Sequence, residues 1–174
     1  MRIVSFPLVA AVPALLAACG TVLSVRVPDV PAALRPPVDQ VVYLEAFATG
    51  VQIYECSYKS DSTYEWAFKA PEASLTTRSG QSLGKHYAGP TWESADGSTV
   101  VGVVKAKDPG PTSSAIPWLL LEAKTHSGTG VLSGARSIQR VATSGGLPPS
   151  EVCGPSTLHK VARVPYTASY YFYR

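Results

Sequence analysis

The chain has 174 residues, with 15 Lys or Arg against 12 Asp or Glu and a formal charge of +3 with histidine neutral. Apolar residues make up 45% and charged residues 16%, which excludes a disordered charged tail and suffices for one domain with a core. So small a net charge, with no Lys/Arg block, argues against nucleic acid as a partner.

Met1-Arg2 brings one positive charge, and Ile3 to Ala18 is then apolar apart from Ser5. That run falls short of the roughly 20 residues of a permanent membrane helix. It reads as a secretory signal over residues 1–18. Leu16-Ala17-Ala18-Cys19 resembles the bacterial lipobox: a branched apolar residue, two small residues, then a cysteine whose thiol takes diacylglycerol and becomes the new N-terminus. The alternative is an ordinary signal peptide with a cysteine nearby. In the lipobox reading Cys19 is lipidated and the membrane is a partner, held by acyl chains at about 0.8 kcal/mol per buried methylene. Gly20 stands where an Asp would favour inner-membrane retention. The expected location is therefore the bacterial cell envelope, as an outer-membrane lipoprotein facing the periplasm or the surface. Residues 19–38, with Pro28, Pro31, Pro36 and Pro37, read as an extended tether poor in packing partners.

Two cysteines remain, Cys56 and Cys153. In an oxidising compartment they are expected to pair, a bridge worth about 4–5 kcal/mol by chain entropy. Two separate buried thiols are the alternative. Neither cysteine has a second cysteine or a histidine at ligand spacing, so no metal site is expected.

From residue 39 to 174 short runs rich in β-branched and aromatic residues alternate with turn chemistry. Val41 to Ala48 looks as helical as it looks extended, and Gly50 to Tyr58 reads as a strand. In Thr63 to Lys69, Tyr64, Trp66 and Phe68 share one face, the period of a half-buried strand that Ala70-Pro71 should end. Ala73 to Arg78 and Gly89 to Ser94 follow, and Asp96-Gly97 marks a hairpin into Ser98 to Lys107. Ala115 to Thr125, around Trp118 and three leucines, reads as a central strand, and Val131 to Thr143 as another. Val164 to Arg174 ends the chain with Tyr166, Tyr170, Tyr171, Phe172 and Tyr173. These tyrosines suit either a core and girdle or the lining of a groove. The pattern predicts a single all-β domain, an antiparallel β-barrel or β-sandwich of about 8–10 short strands with little helix.

Several phrases together carry a likeness: Gly50-Val-Gln-Ile-Tyr-Glu-Cys56, Trp66-Ala-Phe-Lys-Ala-Pro-Glu-Ala73, Gly84-Lys-His-Tyr-Ala-Gly-Pro-Thr-Trp-Glu93 and Ala115-Ile-Pro-Trp-Leu-Leu-Leu121. Gln139-Arg-Val141 with Gly145-Gly146, and Val164-Pro-Tyr-Thr-Ala168 with Tyr170-Tyr-Phe-Tyr173, extend it. Over roughly residues 40–174 the chain resembles the domain-of-unknown-function 3455 family of bacterial and fungal secreted proteins. The resemblance implies export and brings no catalytic set. A malate-dehydrogenase label attached to some members finds no support in these residues.

Chemistry motifs are few. Gly128-Thr-Gly130 has Ser133 where a dinucleotide fingerprint needs its third glycine, and no helix pattern follows. Gly80 to His86 is one residue short of a P-loop, and Gly-x-Ser-x-Gly is absent. No cofactor is expected. The most informative patch is Gly84 to Gly97, which gathers His86, Tyr87, Trp92, Glu93 and Asp96 around Gly89-Pro90. An imidazole that exchanges protons, a carboxylate that orients it and a broad aromatic suit a small-molecule pocket. Trp118 and Arg140 are candidate contributors from other strands. The structural alternative puts Trp92 in the core, His86 on a turn and Glu93 in solvent. The expectation is an envelope protein whose β domain is structural or binds a small molecule. Its competitors are a secreted hydrolase or lyase using His86 with Glu93 or Asp96, and a module that offers a sheet edge to an envelope protein.

Overall fold

The computed structural model describes Met1 and residues 25–174; the expected signal peptide and Cys19 lie outside them. Eight strands follow in chain order: β1 (Val42–Tyr58), β2 (Tyr64–Thr76), β3 (Ser82–Tyr87), β4 (Thr91–Ser94), β5 (Thr99–Asp108), β6 (Trp118–Ser127), β7 (Ser137–Gly145) and β8 (Val161–Tyr173). Each is antiparallel to its sequence neighbours, and β8 returns to β1, so the sheet closes as an up-and-down barrel rather than a sandwich.

Several strands are longer than their sequence signals. The ambiguous Val41–Ala48 run is extended and continues through Gly50 into one strand of 17 residues. Gly50 permits this because β2 crosses close by; a Cβ there would meet the Cα of Ala73 at 2.5 Å. Pro71 does not end β2. The register passes from Ile53↔Ala70 to Tyr54↔Phe68, so Lys69 is the extra residue of a bulge, a setting in which a nearby proline is tolerated. The Val131–Thr143 run is not one strand. The Asp96 carboxylate accepts from Val131 N at 2.7 Å and Ser98 Oγ accepts from Leu132 N at 3.1 Å. These two side chains replace the ladder partners that would have kept residues 131–135 extended. Leu132 is buried, so that loop caps the barrel end where β1 begins and β8 finishes.

The inner face alternates as the pleat requires. Leu75, Val100, Leu121, Ile138 and Phe172 are buried around Trp92, with Ala46, Ala48 and Ala168 opposite. Gly102 makes room for the indole, since a Cβ there would stand 3.1 Å from its ring. An eight-stranded barrel is just wide enough for side chains to fill it or to hold one small ligand.

The expected tether departs from its description in its second half. Val30 and Leu34 are buried on the outer wall with Val141, against Trp118, Leu120 and Tyr171. Gln139 Nε2 donates to Leu34 O at 2.6 Å, and Tyr173 OH donates to Gln139 Oε1 at 2.6 Å. From Val30 on, the segment is a strap. At the opposite end of the barrel Cys56 and Cys153 form the expected disulfide, which ties the loop between β7 and β8 to β1.

Candidate functional site

The wall of the barrel is uneven. β2 pairs with β3 only over Ala73–Thr76, and β4 pairs with β5 only over Thr99–Val101. Among the described residues, Tyr64–Glu72 of β2 and Val103–Asp108 of β5 therefore have no strand partner on their facing sides. A cavity of about 230 Å³ lies behind this gap. Pro71, Leu119 and Leu121 give it apolar walls, and Gly89-Pro90 of the β3–β4 turn forms a rim. Phe68 and Val104 stand at the mouth, 52% and 49% exposed. The missing wall explains why Phe68, on the inward face of β2, is half in solvent.

His86, Trp92, Tyr170 and Arg140 form the deep side. The His86 ring stacks on Trp92 with centroids 4.5 Å apart, and the edge of Tyr170 meets both rings. Nδ1 of His86 lies 2.8 Å from Thr91 O. A carbonyl can only accept, so Nδ1 carries the proton and Nε2 is left as an acceptor. Burial pushes the His86 pKa down to about 4; the Thr91 carbonyl opposes this and the Arg140 charge adds to it. The ring is neutral at physiological pH. Tyr170 and Tyr166 are raised, chiefly by burial, with Arg140 pulling the other way.

Arg140 donates from Nε and Nη2 to Pro117 O at 3.2 and 2.8 Å. No ion pair among the described residues includes it. The same interior holds four polar atoms with no hydrogen-bond partner among those residues: Trp92 Nε1, Gln52 Nε2, Tyr166 OH and Tyr170 OH. Each of these side chains is at most 2% exposed. A fully unmet buried donor costs about 1–3 kcal/mol; Gln52, Tyr166, Tyr170 and Arg140 neighbour one another and offset part of that, while Trp92 Nε1 has no such neighbour.

Of the residues singled out from sequence, His86, Trp92 and Arg140 do converge. Trp92 is also core, as the structural alternative had it. The others are elsewhere because adjacent strand residues face opposite sides. Tyr87 and Glu93 are on the outer face, bonded to each other at 2.8 Å, with Lys85 3.2 Å from Glu93. Asp96 sits in the β4–β5 turn and clamps the capping loop; its hydrogen bonds, Ser98 first, lower its pKa to about 2. Trp118 joins the strap cluster outside the barrel. No carboxylate among the described residues is hydrogen-bonded to His86, so the paired acid–base geometry of a hydrolase or lyase is not formed there. The sequence alone leaves Tyr166 and Tyr170 open between core and groove and does not single out Pro71, Leu119 and Leu121 as cavity walls. Period two across Val164–Arg174 was the available signal: Tyr166, Tyr170 and Phe172 turn inward, Tyr171 and Tyr173 outward.

The model of the domain-of-unknown-function 3455 family, described as a protein of unknown function, matches residues 37–174. The chain belongs to that family. Neither a curated protein nor a solved structure matches it. In this family member the match takes in the whole barrel and every residue of the cavity, while Val30 and Leu34 of the strap precede it.

Proposed function

We propose that this protein is an exported, lipid-anchored protein of the bacterial cell envelope whose barrel binds a small, largely apolar molecule. One observation carries the binding reading. The cavity combines apolar walls with the Arg140 guanidinium, which keeps N–H groups beyond those on Pro117 O, and with the Trp92 indole N–H and Tyr170 hydroxyl, which have no well-formed hydrogen bond among the described residues. A folding core alone has no use for such groups, whereas a pocket places a few polar atoms among apolar walls to orient its ligand. The volume lies below the roughly 300–1,000 Å³ of drug-sized sites, so the ligand is small. The Cys56–Cys153 bridge accords with an oxidising compartment.

The test is a thermal-shift screen of small apolar compounds, followed by titration against Trp92 fluorescence. A ligand present at a hundred times its dissociation constant adds about 2.7 kcal/mol of stability. Binding should disappear when Leu121→Trp fills the cavity. A panel spanning alkyl, aryl and isoprenoid bodies that leaves both readouts unmoved would overturn the reading.

The protein-module alternative has one observation in its favour. The unpaired sides of β2 and β5 flank the cavity mouth, with Phe68, Val103 and Val104 exposed beside them. An extended peptide could add a strand there. Strand addition would newly protect amides of Tyr64–Glu72 and Val103–Asp108 from exchange, and extended peptides that leave that exchange unchanged would count against this use of the gap.

A further inference from the structure

Resting on that binding reading, we propose that the ligand is a small carboxylate: an apolar body against Pro71, Leu119 and Leu121, with its carboxylate on Arg140 and the Tyr170 hydroxyl. The polarity of the unengaged groups is lopsided. Arg140 keeps N–H donors beyond the two that hold Pro117 O, and a guanidinium has five donors and no acceptor. On the cavity's own lining Trp92 Nε1 is a donor, and the Tyr170 hydroxyl can donate or accept. Nε2 of the neutral His86 is an acceptor-only atom on the same lining. A pocket lined by these donors and by the Arg140 charge, with the half-exposed Lys69 also on its lining and paired to Glu55 at 3.0 Å, complements an oxyanion better than a cation. Planar two-pronged recognition is what a guanidinium offers a carboxylate.

The fixed pose of Arg140 strengthens the case. Two of its N–H groups are tied to a backbone carbonyl at the start of β6, so the charge is already in place before a ligand arrives. Tyr170 lies opposite Arg140 in the β7–β8 register, which sets the hydroxyl-bearing ring and the guanidinium on neighbouring strands of the same inner face. The Phe68 and Val104 mouth gives an apolar tail a path outward, so that the charged end is the one that goes in deep.

The experiment compares matched heads on identical bodies. Octanoate and 3-phenylpropanoate are each titrated into the purified protein against the corresponding alcohol and amine, by calorimetry and tryptophan fluorescence. The carboxylate of each set should bind at least about ten-fold tighter than its alcohol, the effect of one charged hydrogen bond. The amine should bind weakest. Arg140→Gln should bring the carboxylate down to the level of the alcohol. Because Arg140 also holds Pro117, Tyr170→Phe serves as the second variant: it should weaken the carboxylate several-fold while leaving the unliganded melting temperature equal or higher, since that hydroxyl has no well-formed hydrogen bond among the described residues. Alcohols that bind as well as carboxylates would overturn the carboxylate head and leave the binding barrel standing. A Tyr170→Phe protein that melts lower and binds unchanged would assign the hydroxyl a structural role and overturn its part. If no member of either set binds, and the wider screen is also silent, both readings fall.

Discussion

At the scale of single residues, His86 is the most informative side chain. It is 3% exposed, stacked on Trp92, and its pKa falls from 6.5 to about 4. The unfolded chain takes up the proton first as pH drops, so the stability that neutral His86 provides is complete above about 6.5 and is lost as pH falls toward about 4. At 1.36 kcal/mol per unit the loss amounts to roughly 3 kcal/mol. Urea unfolding at intervals between pH 7 and pH 4 should therefore show stability falling across that window, and His86→Phe, which keeps a ring against Trp92, should remove most of the slope. An equal slope in the variant would place the titrating group elsewhere. Asp96 acts in the same direction but in a lower window. Its carboxyl is held down to about 2, so its contribution is present above 3.8 and is lost only as pH falls further. The two effects separate along the pH axis.

At the scale of elements, the Cys56–Cys153 bridge makes the loop between β7 and β8 part of the barrel end rather than a loose excursion. The same loop is stitched to β1 by backbone bonds from His159 N to Cys56 O and from Cys56 N to Lys160 O. Cys56→Ser with Cys153→Ser should lower unfolding stability by up to about 4–5 kcal/mol, the chain-entropy value for so long a loop. Equilibrium unfolding of the variant beside the oxidised protein measures it, and an unchanged midpoint would mean the backbone bonds alone hold the loop. How far such elements can be read from sequence depends on the range of the forces that make them. The bridge follows from compartment chemistry and needs no structure. Strand identity in Gly50–Tyr58 and Val164–Arg174 follows from local propensity and period two. What was not legible is long-range. Pro71 looks like a stop until the bulge at Lys69 is seen. Val131 looks like a strand start until Asp96, on a distant turn, takes its N–H. Glu93 looks like a partner for His86 until the pleat turns it outward, and Arg140 reaches the cavity only because the barrel closes. Spacing along the chain identifies faces but not which faces meet.

At the scale of the whole molecule, the strap bears on where the barrel sits. Val30 and Leu34 are buried on the outer wall, and the covalent path from Cys19 to Val30 spans at most about 40 Å whatever its conformation. A lipid on Cys19 would therefore hold the barrel within that distance of the membrane surface rather than on a long, freely swinging leash. Acyl chains contribute about 0.8 kcal/mol per buried methylene, and the described residues contain no helix long and apolar enough to cross a membrane, so attachment in this reading depends on Cys19. Cys19→Ser should move the protein from the membrane fraction to the soluble envelope fraction. Its melting temperature and its binding of small apolar compounds should stay as they were, because the barrel and the strap do not include that residue. Fractionation of cells expressing the two forms, followed by thermal shift on each, is the measurement. A Cys19→Ser protein that remains with membranes through a high-salt wash would assign the attachment to the barrel's own surface, with exposed Phe68, Val103 and Val104 at the cavity mouth the first residues to replace.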